Sequence, residues 1–336
     1  MTSMFNRQKG RVGLHRSRLL LCVAAASLGL SLCAQAKPTY TTFDPPDSTK
    51  TLVTGINNGA ITGYYQNITQ HGYVRAADGT FAEFDPPNSQ NTYAEAISST
   101  GAVTGYFDDG SGYHGFVRTA DGTITTFDGP GATPAEAFGI NKRGAITGDY
   151  EDSVGWHGFL RKPSGRIERF DAPGSSYTNP LGINNEGTIV GIYLDSFNVQ
   201  HGFVRAADGT ISTIDPLGST LTEATTINRK GAIAGDYQDA DGNSHGFVRT
   251  ADGTISTFDV SGCRDPGVSG LDSRGRVTGF CIAGPYHGFE WRPDGKSTVF
   301  DPPGSVFTIG VSIDGGAIAG YYQDDQGYLH GYLRDR

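Results

Sequence analysis

Residues 224–259 read ATTINRKGAIAGDYQDADGNSHGFVRTADGTISTFD. Four short apolar runs are separated by three turns. Ala224 to Ile227 is strand a, and Asn228-Arg229-Lys230-Gly231 is the turn after it. Ala232 to Tyr237 is strand b, followed by an acidic, Gly-containing loop from Gln238 to Ser244. His245 to Arg249 is strand c, and Thr254 to Asp259 is strand d, strictly alternating. Asp252-Gly253 between alternating runs is a hairpin signal, and it predicts a tight turn with both residues at positive φ. No segment holds helical periodicity over three turns.

The same unit recurs along the chain. His-Gly-aromatic stands at His71, His114, His157, His201, His245, His287 and His330, at intervals of 42 to 44 residues. Ile/Val-x-Gly ends on Gly63, Gly105, Gly148, Gly191, Gly235, Gly279 and Gly320. An apolar residue followed by Asp closes each unit, from Phe43-Asp44 to Phe300-Asp301. Four antiparallel strands at this period predict an all-β fold, a β-propeller of four-stranded blades. A lone thin sheet cannot bury both faces, and radial stacking removes that problem. Seven copies give seven blades over residues 37–336. The chain opens on a lone strand d, Tyr40 to Phe43, and ends after a strand c, His330 to Arg334. The N-terminal strand is therefore expected to complete the last blade and close the ring.

The pattern Gly-Ile-Asn-x-x-Gly-x-Ile-x-Gly-x-Tyr followed by His-Gly-Phe, as in Gly139 to Tyr150 and His157 to Phe159, resembles the HAF-type repeats of bacterial extracellular proteins. Those repeats more usually read His-Ala-Phe, and Gly replaces Ala here. The resemblance covers about residues 40–334. It implies export and a propeller-like repeat, and it carries no catalytic residues.

Residues 1–36 read as a signal peptide. Arg7, Lys9, Arg11, Arg16 and Arg18 precede an apolar stretch from Leu19 to Leu32, and Ala34-Gln35-Ala36 offers a cleavage site. Leu30-Ser31-Leu32-Cys33 resembles a lipoprotein box, but Leu32 stands where a small residue is wanted, which argues against a lipid anchor. An exported chain, periplasmic or extracellular, with no transmembrane segment after the cut is expected. The remaining chain carries 21 basic and 35 acidic residues, a net charge of −14. That charge gives no footprint for nucleic acid. Gly is 49 of 336 residues and charged residues are 18%, which excludes a helical bundle. Cys263 and Cys281 remain after the cut and are expected to form a disulfide pinning the sixth copy's first hairpin.

Seven histidines on separate blades stand too far apart to share a metal, so each is read as one repeated hydrogen bond, to a loop carbonyl or to the strand-d Asp. Arg75, Arg118, Arg161, Arg205, Arg249 and Arg334 follow four places later, with Trp291 in the sixth copy. A ladder or an inter-blade ion pair with the strand-d Asp is the expected role of these arginines. The loop face is the expected binding face. Tyr106, Tyr150, Tyr193, Tyr237 and Tyr322 lead into b–c loops that carry Asp109, Asp152 and Asp241. Rings and carboxylates together suit a glycan, a cell-envelope partner or a cation. Asp239-x-Asp241-x-Asn243 resembles half a calcium loop without its terminal Glu, and Asp239 and Asp241 are the candidate Ca²⁺ ligands. Strand a lines the channel, and Glu95, Glu136 and Glu223, with Asn179, stand near its entry. These glutamates are the catalytic candidates if the molecule is an enzyme, a polysaccharide lyase or glycoside hydrolase using Glu136 and Glu223. The favoured expectation is a monomeric binding or scaffold module. No phosphate loop, Gly-x-Ser-x-Gly elbow or His-Glu-x-x-His is present.

Overall fold

The structure is a computed structural model and describes residues 37–131 and 133–335. The export segment expected over 1–36 lies outside the described residues. Among the described residues there are twenty-eight strands and no helix. Each repeat supplies a meander of antiparallel strands. In the fifth copy these are Leu221–Ile227, Ile233–Gln238, Ser244–Arg249 and Ile255–Phe258, paired in that order. The first strand of the chain, Thr39–Phe43, has no meander of its own. It pairs antiparallel with the last strand, Leu329–Asp335, with Thr41 opposite Leu333 and Phe43 opposite Gly331.

The three hairpins of the fifth repeat share one turn, whereas the a–b hairpins of the first and seventh copies close on two left-handed residues, Asn58-Gly59 and Gly315-Gly316. In the fifth copy the amides of Gly231, Gly242 and Gly253 donate to the carbonyls of Asn228, Asp239 and Thr250, three residues earlier. Gly253 sits at φ 96° while Asp252 is not at positive φ. The expected two-residue turn with both residues left-handed is thus corrected. A four-residue turn with a single left-handed Gly closes the hairpin, and the Asp252 carboxylate caps it by accepting from the Thr254 amide at 3.1 Å.

Every strand a carries a register shift opposite the strand-b glycine, as between Ala137 and Gly139 against Gly148. A Cβ on Gly148 would collide with the carbonyl oxygen of Glu136. The bulge and the glycine are therefore one device: the missing side chain lets the inner strand press in and bend.

Hydrophobic clusters sit between consecutive sheets, not within one. Phe43 and Ala319 pack with Val53, Ile56, Ile61, Tyr65 and Tyr73 of the first repeat. The strand-d ring is the hub of each junction. Phe43, Phe84, Phe127, Phe170 and Phe300 lie on the glycine of the His-Gly pair in their own sheet, where a Cβ would strike the ring. On the other side each is covered by an arginine of the next sheet, with 4.6–5.1 Å from guanidinium to ring centroid. The expected Arg–Asp ion pair is corrected accordingly: these arginines make cation–π contacts between sheets. Trp291 does the same in the sixth copy, stacked on Phe258 at 4.5 Å and 17°. Ile214 replaces the ring before Arg249, so no π face is offered to that guanidinium.

Candidate functional site

The repeated histidine binds the strand-d Asp in all seven copies. Nδ1 lies 2.5–2.8 Å from Asp85, Asp128, Asp171, Asp215, Asp259, Asp301 and Asp44 in turn. The last of these contacts joins His330 to the N-terminal segment. In five copies the other ring nitrogen lies against an Asp of the b–c loop, as His157 Nε2 meets Asp152 at 3.1 Å and His245 Nε2 meets Asp239 at 3.2 Å, while His71 Nε2 meets Thr69 and Asn67 instead. Much of the acidic loop chemistry is thus internal. Asp109 accepts from the Ser111 amide and hydroxyl. Asp239 accepts from the amides of Asp241 and Asn243. Among the described residues, no group of three or more His, Cys, Asp or Glu is arranged to hold a metal ion.

The tyrosines expected to receive a ligand divide into two sets. Tyr150, Tyr193, Tyr237 and Tyr322 are buried, their rings packed 5.0–5.4 Å from the repeated histidine. They belong to the junction between sheets and present no face to solvent. Cys281 takes their place in the sixth copy and is bonded to Cys263, as the sequence predicts. Tyr106 differs in parity. It is one residue nearer the glycine, so it points to the opposite side of strand b.

That parity defines the site. Tyr93, Glu136 and Asn179 stand on strand a directly across from Tyr106, Asp149 and Ile192 on strand b. Tyr93 stacks on Tyr106 at 4.7 Å and 18°. Tyr64 meets Tyr93 edge-on at 5.3 Å, Tyr113 meets Tyr106 at 5.4 Å, and Phe138 meets Tyr106 at 6.1 Å. Beside this aromatic wall lie three carboxyls. Burial first, then the Glu136 charge, pushes Asp149 up to about 8 and Glu95 up to about 7. Burial raises Glu136 as well. Asp149 is only 2% exposed. The Tyr177 hydroxyl hydrogen-bonds to it and in turn accepts from Asn179 Nδ2 at 2.9 Å. Asp149 Oδ1 and Asn179 Oδ1 are buried without a partner.

Glu223 stands on the fifth repeat across from Asp236, which burial pushes up to about 7 and which accepts from the Val268 amide at 2.9 Å. Glu223 accepts from Gln200 Nε2 at 3.1 Å. Glu136 is thus coupled to Asp149 and Glu95. Sequence reasoning names Glu95, Glu136 and Glu223 but misses Asp149, Asp236, Tyr93 and Tyr177. Counting alternation across the a–b pair from Glu136 is the signal that finds Asp149.

Towards the a–b turns the strand-a residues of every repeat surround a cavity of about 350 Å³, with Thr54, Glu95, Phe138, Leu181, Thr225 and Ser269 on its wall. Its rim is a ring of turn caps: Asn141 donates to the Asn184 carbonyl and Asn228 to the Asp272 carbonyl, each at 2.9 Å. No helix among the described residues is long and apolar enough to cross a membrane.

No family model matches the sequence, and no curated protein does. Solved structures do. The chain is similar to a streptogramin B lyase, with 13% identity over 89% of this chain and 98% of that one and a TM-score of 0.60. It is similar to a catalytically inactive variant of virginiamycin B lyase from Staphylococcus aureus with quinupristin, at 14% identity, 89% and 100% coverage and a TM-score of 0.58. It is also similar to TolB from Acinetobacter baumannii, at 10% identity, 83% and 64% coverage and a TM-score of 0.51. At these identities the likeness shows the fold, a β-propeller.

Proposed function

We propose that the chain is an exported, monomeric, seven-bladed β-propeller of the HAF-repeat kind that serves as a binding module. Its N-terminal strand completes the last blade. The Thr39–Phe43 pairing with Leu329–Asp335, the His330–Asp44 contact and the Arg75–Phe43 contact support that closure. The basic-apolar-small leader and the Cys263–Cys281 bond support export. The ligand, a cell-envelope glycan or other polar molecule, enters at the channel mouth on the b–c loop face. One observation carries this reading: the Tyr93–Tyr106 stack lies beside Glu95 and Glu136, so an apolar wall and hydrogen-bonding carboxyls stand together on the inner strands. The site takes over the ligand role expected of Tyr150 and Tyr237. A calorimetric or glycan-array screen of the mature protein tests it. A ligand whose affinity falls at least tenfold in Tyr106→Ala, and is unchanged in Asp294→Asn on a distant turn, supports the reading. A broad screen without a binder refutes it.

A second reading, a polysaccharide lyase or glycoside hydrolase, draws on Asp149 and Glu136 standing directly across the a–b strand pair, both raised by burial. Turnover of a polysaccharide that vanishes in Glu136→Gln would favour it.

A further inference from the structure

We infer that Glu136 and Asp149, with the Tyr93–Tyr106 stack on the preceding blade and Asn179 on the following one, form the seat for a ligand carrying an alkylammonium group. The inference rests on the binding-module reading and narrows it to one ligand chemistry.

The acceptors come first. Asp149 is almost wholly enclosed, and its Oδ1 has no donor. Asn179 Oδ1, one blade on, is buried and equally unmatched. The Asn179 amide and the Tyr177 hydroxyl already run as donors toward Asp149, so the orphan atoms at both ends are acceptors. A buried acceptor left unmade is destabilising, so the seat is matched by a group that only donates. An ammonium has three donors and no acceptor.

The charges agree. The groups acting on Asp149 are Glu136 on its partner strand and Tyr177 on the following blade, and Glu136 in turn acts on Glu95, Tyr93 and Tyr106 of the preceding blade. On its other flank, strand c offers only Gly158. Among the described residues, the charged neighbour that acts on Asp149 and on Glu95 is Glu136, and no basic side chain acts on either. The walls agree too. Tyr93, Tyr106 and Phe138 form a cluster of π systems beside Glu136, and such rings attract a desolvated cation. The carboxyls are not grouped as a metal site, which favours an organic cation over a metal ion.

Proton release provides the readout. Burial and the Glu136 charge hold Asp149 and Glu95 partly protonated near neutrality. An arriving ammonium favours the ionised forms, so binding expels protons and strengthens as pH rises toward the amine's own pKa of about 10.

The test is isothermal titration of the mature protein with pentane-1,5-diamine, with its neutral counterpart pentane-1,5-diol, with a neutral glucan oligosaccharide and with CaCl2. The diamine should bind at least tenfold more tightly than the diol at pH 8. Its affinity should fall about tenfold at pH 6, with proton release seen by comparing buffers of different ionisation enthalpy. Glu136→Gln and Asp149→Asn should each abolish binding, and Tyr106→Ala should weaken it at least tenfold in protein whose circular dichroism is unchanged. If the glucan binds through Tyr106 while the diamine does not, the ammonium inference falls and the binding module stands. If CaCl2 binds and the diamine does not, the seat is a metal site and the inference falls. If nothing binds, both fall.

Discussion

Reducing the Cys263–Cys281 bond isolates one term of the fold's stability. The two residues are 18 apart in sequence, and Cys281 is fully enclosed where six other copies place an aromatic ring. Closing an 18-residue loop in the unfolded chain removes about 11 cal/mol/K by the chain-entropy relation, which is about 3 kcal/mol at 25 °C. The folded unit spans residues 37–336. Unfolding entropy of about 2.1 cal/mol/K per residue makes its total about 0.6 kcal/mol/K, so 3 kcal/mol corresponds to about 5 °C in Tm. Scanning calorimetry of the mature protein with and without reductant measures this, and Cys263→Ser should match the reduced protein because Cys281 stays as a small apolar filler. A shift under about 1 °C in both cases would refute the reasoning. Free thiols found in the unreduced protein would refute it at an earlier step.

Trp291→Arg should be tolerated within about 1 kcal/mol, since arginine covers the equivalent ring in five copies, whereas Trp291→Ala should cost about 3 kcal/mol in urea unfolding. Equal losses would show that stacking on Phe258 is not what the residue does. Asp149 titrates near 8 when folded and near 3.9 when unfolded, so the unfolded chain loses its proton first and stability falls as pH rises between those values. From pH 5.5 to 7.5 the loss from this group is at most about 2.7 kcal/mol, and Asp149→Asn should flatten the Tm-against-pH curve; a parallel curve would contradict the buried carboxyl. Glu290 is fully enclosed beside Arg276, Arg292 and Arg334, so Glu290→Gln should cost about 3–5 kcal/mol in urea unfolding by stranding buried cations, and an unchanged midpoint would contradict that.

The sequence exposes the fold because a repeated unit puts the same physical demand at the same place. His-Gly-aromatic marks strand c because the His must reach the strand-d Asp and the Gly must lie under the strand-d ring. Ile-x-Gly marks strand b because strand a needs room for its bulge. The disulfide is legible from two cysteines flanking one hairpin. The site is harder to see. Tyr150 and Tyr237 look like loop-face residues by position, but their side of the strand faces a neighbouring sheet that lies some forty residues away in sequence. Asp149 and Tyr93 stand out only once strand a is paired with strand b. The arginine contacts escape a sequence reading for the same reason: Phe127 and Arg161 meet across a junction that no single repeat contains.

Closure is tested most directly by a cross-link. Thr41 and Leu333 are paired residues on the first and last strands. In a Thr41→Cys/Leu333→Cys protein, oxidation and peptide mapping should find an intramolecular 41–333 disulfide in monomer beside the native Cys263–Cys281 bond. Thr41→Cys paired with Val204→Cys, at the matching strand-c position of the fourth repeat, should form none. Absence of the 41–333 bond, or its appearance only between two molecules, would contradict a chain closed by its own N-terminal strand.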